Sequence, residues 1–320
     1  MVIGQKQSYV TVNRHDLKLY LYRGENFTML NKNFVRKVAA IHDLSGYGRA
    51  SLTVVIPILS NMGVQVCPLP TAVLSSHSGF KGVHFVDLTD DLEGMIAHWR
   101  SLQLSFDAIY SGYLGSPKQV GIVQKFIRDF AQPDQFVLVD PVLGDNGKLY
   151  STFDDSMVQG MRSLIGDAHI ITPNLTEAAL LLNEPYSPDV SIEVLMEWTR
   201  KLAKMGPEVV IITSVPEPLL PGKTAVLAFN QSDDRMWKIT CDYLPANYPG
   251  TGDAFASILC GALLQGDSLP IAIDRAVHFI SMGVRATFGY QHHQAEGILL
   301  EKVLPSLNIP VQASTYQLLQ

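Results

Sequence analysis

From residue 35 onward, short apolar runs alternate with stretches in which apolar residues recur every three or four positions. The runs at 38–41, 64–69, 108–110, 136–139, 169–171 and 209–212 have the length and content of buried strands. The segments 50–62, 88–101, 118–130, 157–164, 176–182 and 192–205 carry helical spacing. Repetition of strand and helix predicts an α/β fold, a mostly parallel sheet with helices on both faces. Residues 224–229 and 237–241, joined by the polar stretch Asn230 to Asp234, predict a two-stranded antiparallel edge. Helices over 253–264 and 271–288 close the pattern. No linker, low-complexity tract or repeat breaks it, so 34–310 is read as one domain and 311–320 as a tail. Residues 1–33 are polar and aromatic without a helical stripe. They are read as an N-terminal extension, with 9–12 and 17–22 able to form a small hairpin and Met29 a candidate start.

Composition narrows the classes. With 320 residues, 47% of them hydrophobic, the chain can bury a large core. A net charge of −6 without a long basic run argues against a nucleic-acid surface. Cys67, Cys241 and Cys260 are widely spaced, lack metal-ligand pairing and read as reduced, buried thiols. No apolar run has the length of a membrane span, and no secretory signal is visible, so a cytoplasmic protein is expected.

The candidate chemistry centres on Tyr248-Pro249-Gly250-Thr251-Gly252-Asp253. From Ala254 on, Phe255, Ile258, Leu259, Ala262 and Leu263 mark a helix. A helix start offers unpartnered N–H groups and partial positive charge. Gly250 and Gly252 let the backbone approach a ligand closely. Asp253 puts one carboxylate in the mouth of that cradle, an arrangement suited to phosphoryl transfer. A G-x-G-D tetrapeptide alone reads most simply as a capped helix after a turn. Polar residues at the expected carboxyl ends of six strands change the balance, because open α/β sheets bind ligands there. They are Asp43, the segment from Thr71 to His77, Ser111 to Ser116, Asp140 to Asp145, Thr172 to Glu177, and Thr213-Ser214.

The ordered set Ser111-Gly112-Tyr113-Leu114-Gly115, Asp140-Pro141-Val142-Leu143-Gly144-Asp145, Thr172-Pro173-Asn174-Leu175-Thr176-Glu177, Thr213-Ser214 and Gly250-Thr251-Gly252-Asp253 resembles the pyridoxal kinases of the ribokinase superfamily. The resemblance spans roughly residues 35–307. It implies a single ribokinase-like domain, ATP with Mg²⁺, often a monovalent cation such as K⁺, and a homodimer. It implies Asp253 as catalytic base and Gly250, Thr251 and Gly252 as the anion hole. Asn174 and Glu177 match a pair handling phosphates and the metal shell, and Asp140 and Asp145 match acidic positions near metal and phosphates. Thr172, Thr213 and Ser214 match nucleotide contacts, and Thr71 and Tyr113 match the vitamin B6 side; His77, most simply a polar loop residue, is kept as a weak vitamer contact. Asp43 departs from the pattern: several pyridoxal kinases have a serine there. Asp43-Leu44-Ser45-Gly46 is similar to a stretch of hydroxymethylpyrimidine kinases, which tend to carry cysteine where Asp253 stands. The expected activity is phosphorylation of the hydroxymethyl group of pyridoxal, pyridoxamine or pyridoxine, with hydroxymethylpyrimidine or dual specificity as the alternative.

Overall fold

Alternation at residue scale builds the two-sided core. Within one strand, Val38 and Ala40 join the apolar cluster on one face of the sheet, while Ala39 and Ile41 join the cluster on the other. All four are fully buried, the signature of a strand covered on both sides. A computed structural model describes residues 35–217, 220, 222–290, 293–309 and 315–319. The N-terminal extension, its suggested hairpin and Met29 lie outside the described residues.

The strands are β1 (Lys37–Ser45), β2 (Gln65–Leu74), β3 (Phe85–Asp87), β4 (Ala108–Ser111), β5 (Phe136–Val139), β6 (Gly144–Asp145), β7 (Lys148–Leu149), β8 (Ile170–Ile171), β9 (Val209–Pro216), β10 (Lys223–Asn230), β11 (Arg235–Asp242) and β12 (Tyr316–Leu319). The helices are α1 (Leu52–Asn61), α2 (Thr89–Ser101), α3 (Pro117–Asp129), α4 (Asp155–Ile165), α5 (Leu175–Leu182), α6 (Ile192–Ala203), α7 (Thr251–Gln265), α8 (Leu269–Phe288) and α9 (Leu300–Val303). The main sheet runs β12-β11-β10-β9-β8-β5-β4-β1-β2-β3. Strands β2, β1, β4, β5, β8 and β9 are parallel, and β3, β10, β11 and β12 add antiparallel margins. Helices α1, α7 and α8 pack on one face, and α2 to α6 contribute to the core of the other.

Three features depart from the sequence reading. The antiparallel pair β10–β11 is not the edge, because β12 pairs with β11 from Met236↔Leu319 to Ile239↔Tyr316. The described part of the segment read as a tail is therefore a strand of the domain. Strand β3 escaped notice because all three of its residues are exposed and it has no apolar period. The β6–β7 hairpin is two residues per strand, too short for any periodic signal.

Candidate active site

The sheet order reverses between β1 and β4: the chain passes from β1 to β2 on one side and later reaches β4 on the other. Such a switch opens a crevice beyond the strands' carboxyl ends. Asp43 and Ser45 finish β1, and Gly112-Tyr113 follow β4 at the same edge. Two ladder irregularities fall at this edge as well. Thr71 and Ala72 of β2 oppose the single Asp43, and Thr213 and Ser214 of β9 oppose the single Val226. Bulges of this kind re-aim side chains near sites.

Helix α7 brings its N-terminus to the crevice. Gly250 caps it at φ 78°, a left-handed conformation that favours glycine. A β-carbon there would collide with the carbonyl oxygen of Arg49. Gly252 is different: its φ is unexceptional, and an added β-carbon would sit 3.7 Å from Oδ2 of Asp140. The backbone of α7 thus starts beside a carboxylate at the end of β5.

Asp253, in the first turn of α7, is tied to β1 and the start of α1. Its Oδ2 accepts the backbone N–H of Ser51 at 2.8 Å. Its Oδ1 lies 3.8 Å from Nδ1 of His42, and its side chain keeps 14% exposure. Ser51 also donates its hydroxyl to Oδ1 of Asp43, and Ser45 donates to Oδ2 of Asp43 at 2.9 Å. Burial, opposed by the Ser51 N–H and reinforced by the Asp43 charge, pushes the Asp253 carboxyl up to about 6. Burial also raises Asp43, with the two serine hydroxyls resisting.

Asp140 links this carboxylate to the α5 side. Its Oδ1 accepts the Thr172 hydroxyl at 3.0 Å. Burial and then the Asp253 charge lift it to about 7. Glu177 is raised too, by burial first and the Asp140 charge second. Asp253, Asp140 and Glu177 therefore form a line of mutually repelling acids. Tyr150, in the loop after β7, faces that line: burial raises its hydroxyl first, then the charges of Glu177, Asp145, Asp140 and Asp253.

The other expected site residues divide into two sets. Thr213, Ser214, Asp145 and Tyr113 stand at the open edge. Ser214 is exposed with φ 57°, and Asp145 accepts Nδ2 of Asn247 at 3.0 Å from the segment before α7. Tyr113 stacks on Phe153 at 5.6 Å and feels the Asp43 charge. The second set is turned inward. Thr172 is buried and orients Asp140 instead of reaching solvent. Thr71 is fully buried and donates to the Tyr113 carbonyl at 3.1 Å. His77 is buried, with Nδ1 accepting the Gly79 N–H and Nε2 against the Ala295 carbonyl, so its ring fastens two loops together. Asn174 and Glu177 form a reciprocal capping box at the start of α5. Asn174 accepts the Glu177 N–H and donates to Gly144; Glu177 accepts from Asn174 and Leu143. The spacing N-x-x-E carries that reading in the sequence itself. Among the described residues, no group of three or more His, Cys, Asp or Glu is arranged to hold a metal ion. His293 caps a short turn, its side chain accepting the Ala295 N–H.

Ser51 and His42 were not visible from the sequence as site residues. The helical spacing over 50–62 puts Ser51 inside a helix, whereas it stands just before α1, makes no side-chain capping bond and holds φ 53°, ψ −133°. His42 directly follows the apolar run 38–41, and the structure carries β1 through it.

A family model described as phosphomethylpyrimidine kinase matches residues 56–297. A protein of Bacteroides thetaiotaomicron, provisionally described as a phosphomethylpyrimidine kinase and crystallised with pyridoxal, is 60% identical over 89% of this chain and 100% of that one, with a TM-score of 0.87. Pyridoxal kinase from Lactobacillus plantarum is 31% identical over 85% of this chain and 96% of that one, with a TM-score of 0.76. A pyridoxine/pyridoxal/pyridoxamine kinase of Bordetella avium is 26% identical over 82% of this chain and 90% of its own length. The family match over most of the chain, joined to the carboxylate line at the α7 N-terminus, makes this chain a member of the phosphomethylpyrimidine kinase family within the ribokinase superfamily, on the pyridoxal kinase branch.

Proposed function

We propose that the protein transfers the γ-phosphoryl group of ATP to the hydroxymethyl group of vitamin B6 vitamers. One observation carries the reading: Asp253 stands at the N-terminus of α7, held by the Ser51 N–H and flanked by Asp43 and Asp140. Asp253 accepts the hydroxyl proton as that oxygen attacks phosphorus in line. The N–H groups at Gly250, Thr251 and Gly252 receive the charge of the moving phosphoryl group. Thr213, Ser214 and Asp145 serve the nucleotide side, and Tyr113 and Asp43 serve the vitamer. Thr172, Thr71, Asn174 and His77 act through the groups they hold in place. Pyridoxal in the 60% identical Bacteroides structure supports the choice of substrate.

Buried oxygen donors that repel one another suit a hard divalent cation. Asp140 and Glu177 would hold Mg²⁺ through its own waters, since both Glu177 oxygens already accept backbone N–H groups. The ion would supply charge neutralisation on the phosphates. A K⁺ ion beside the nucleotide is part of the same reading. So is a cytoplasmic setting: the three cysteines are free, and among the described residues no helix is long and apolar enough to cross a membrane. A homodimer is proposed as well; the edge strand β3, with Phe85 and Val86 exposed, is a surface that pairing would cover.

Asp43 favours a second reading, hydroxymethylpyrimidine as substrate, because a buried carboxylate at the end of β1 can meet a basic ring. ADP release measured with pyridoxal, pyridoxamine, pyridoxine and hydroxymethylpyrimidine separates the two. Efficient turnover of a B6 vitamer supports the first; turnover of the pyrimidine alone overturns it.

A further inference from the structure

His42 is fully buried, yet neither ring nitrogen has a hydrogen-bond partner. Most buried polar side-chain atoms are bonded, and leaving one unmade costs on the order of 1–3 kcal/mol. The position of the ring is tightly fixed. A β-carbon at Gly112 would collide with its Nδ1 and Cε1, so the glycine after β4 is what leaves room for it. The Tyr110 ring meets it edge to face at 4.3 Å and 80°. Its Nδ1 lies 3.8 Å from Oδ1 of Asp253, just beyond a hydrogen bond. Burial lowers the imidazole to about 3, so the ring is neutral and has one N–H to give.

We propose that His42 is a positioning residue: as the Nδ1–H tautomer it donates to Oδ1 of Asp253 in the working enzyme, pairing with the Ser51 N–H on Oδ2 to fix the carboxylate. Closing the 3.8 Å gap requires the Asp253 carboxylate to turn toward the ring while Oδ2 keeps the Ser51 N–H. With one donor on each oxygen, the plane of the carboxylate is set relative to the α7 N-terminus. A lone pair is left aimed at the acceptor hydroxyl. Nothing else on β1 or β4 performs this for Oδ1. Asp43 repels the carboxylate, and the Tyr110 hydroxyl lies 3.4 Å from the backbone carbonyl of Asp253, not its side chain.

The inference rests on the reading of Asp253 as the base, and two kinds of test separate the two claims. In the first, His42→Asn is compared with His42→Gln. The Asn side-chain amide falls near the place of Nδ1, and the Gln amide near that of Nε2. His42→Asn is expected to keep kcat within about threefold. His42→Gln is expected to lose about tenfold or more in kcat with the KM for ATP unchanged, the size of one hydrogen bond to a charged group. Equal kcat values in two folded variants would overturn the proposal. The second test needs no turnover and no change at His42: ¹⁵N NMR of the ring in the parent protein and in folded Asp253→Asn. A protonated Nδ1 whose shift changes in Asp253→Asn supports it. A ring protonated at Nε2 and indifferent to Asp253 overturns it. Absence of kinase activity would instead overturn the base assignment and leave the NMR result standing.

Discussion

The backbone N–H of Ser51 donates to Oδ2 of Asp253 at 2.8 Å, across 202 residues of sequence. That bond exists because Ser51 sits at φ 53°, ψ −133°, a conformation that costs a non-glycine residue about 1–3 kcal/mol. The strain sits where it aims the donor. Ser51→Gly relieves the strain and keeps the N–H but removes the hydroxyl that Asp43 accepts. Its melting free energy is expected to exceed that of Ser51→Ala by about 1 kcal/mol. Both variants should retain kcat within about tenfold, since the donor to Asp253 survives. Equal thermal stability of the two variants would count against strain at this residue.

The two glycines of the cradle should fail differently. Gly250→Ala forces a β-carbon into the Arg49 carbonyl at φ 78°, so it should lower stability by more than about 1 kcal/mol and abolish turnover. Gly252→Ala meets only ordinary contact with Asp140. It should melt within about 0.5 kcal/mol of the parent, while its kcat falls through crowding of the phosphoryl position. Melting curves and ADP release on both variants check the contrast.

Activity should fall in acid as the carboxylate pair takes up protons. Asp253 is raised to about 6 and Asp140 to about 7, and the two charges act on each other, so the limb belongs to the pair. The value of kcat/KM is expected to drop as pH falls through about 7 to about 6, since it reports the free enzyme. A profile flat down to pH 5 would contradict the raised values.

The same shifts bear on stability. A carboxylate whose folded value is raised holds a proton where the unfolded chain has lost it, so stability falls as pH rises through the window from 3.8 to about 7. His42 acts in the opposite sense. Its folded value is lowered from 6.5 to about 3, so its contribution is lost as pH falls below 6.5. Asp140→Asn removes a buried charge and keeps an acceptor for Thr172. The ligand-free variant is expected to gain on the order of 1–3 kcal/mol at pH 8 and much less at pH 5, with activity reduced. Chemical denaturation at the two pH values checks the sign.

The fold was legible wherever burial wrote a period. The run at 136–139 coincides with β5, and the helix expected at 271–288 ends with α8 at Phe288. Strands extend past their apolar runs where polar residues continue the ladder: β1 runs on to Ser45 and β2 to Leu74, carrying Asp43 and Thr71 into the site. Of the site, the α7 cradle and the acids were readable because glycine and carboxylate identities carry their chemistry. Which way each side chain turns was not. Thr172 and His77 have polar identities that fit a ligand equally well, and only packing shows them facing inward. Ser51 is invisible for a deeper reason: what brings its N–H to Asp253 is a pair of backbone torsions that no residue identity announces.

The most direct test is turnover of Asp253→Ala, followed by ADP release with pyridoxal beside a separate measurement of ATP affinity. Loss of at least about a hundredfold in kcat with ATP binding unchanged is the predicted result, the low end for removal of a general base. Near-parental turnover in a folded variant would contradict the account.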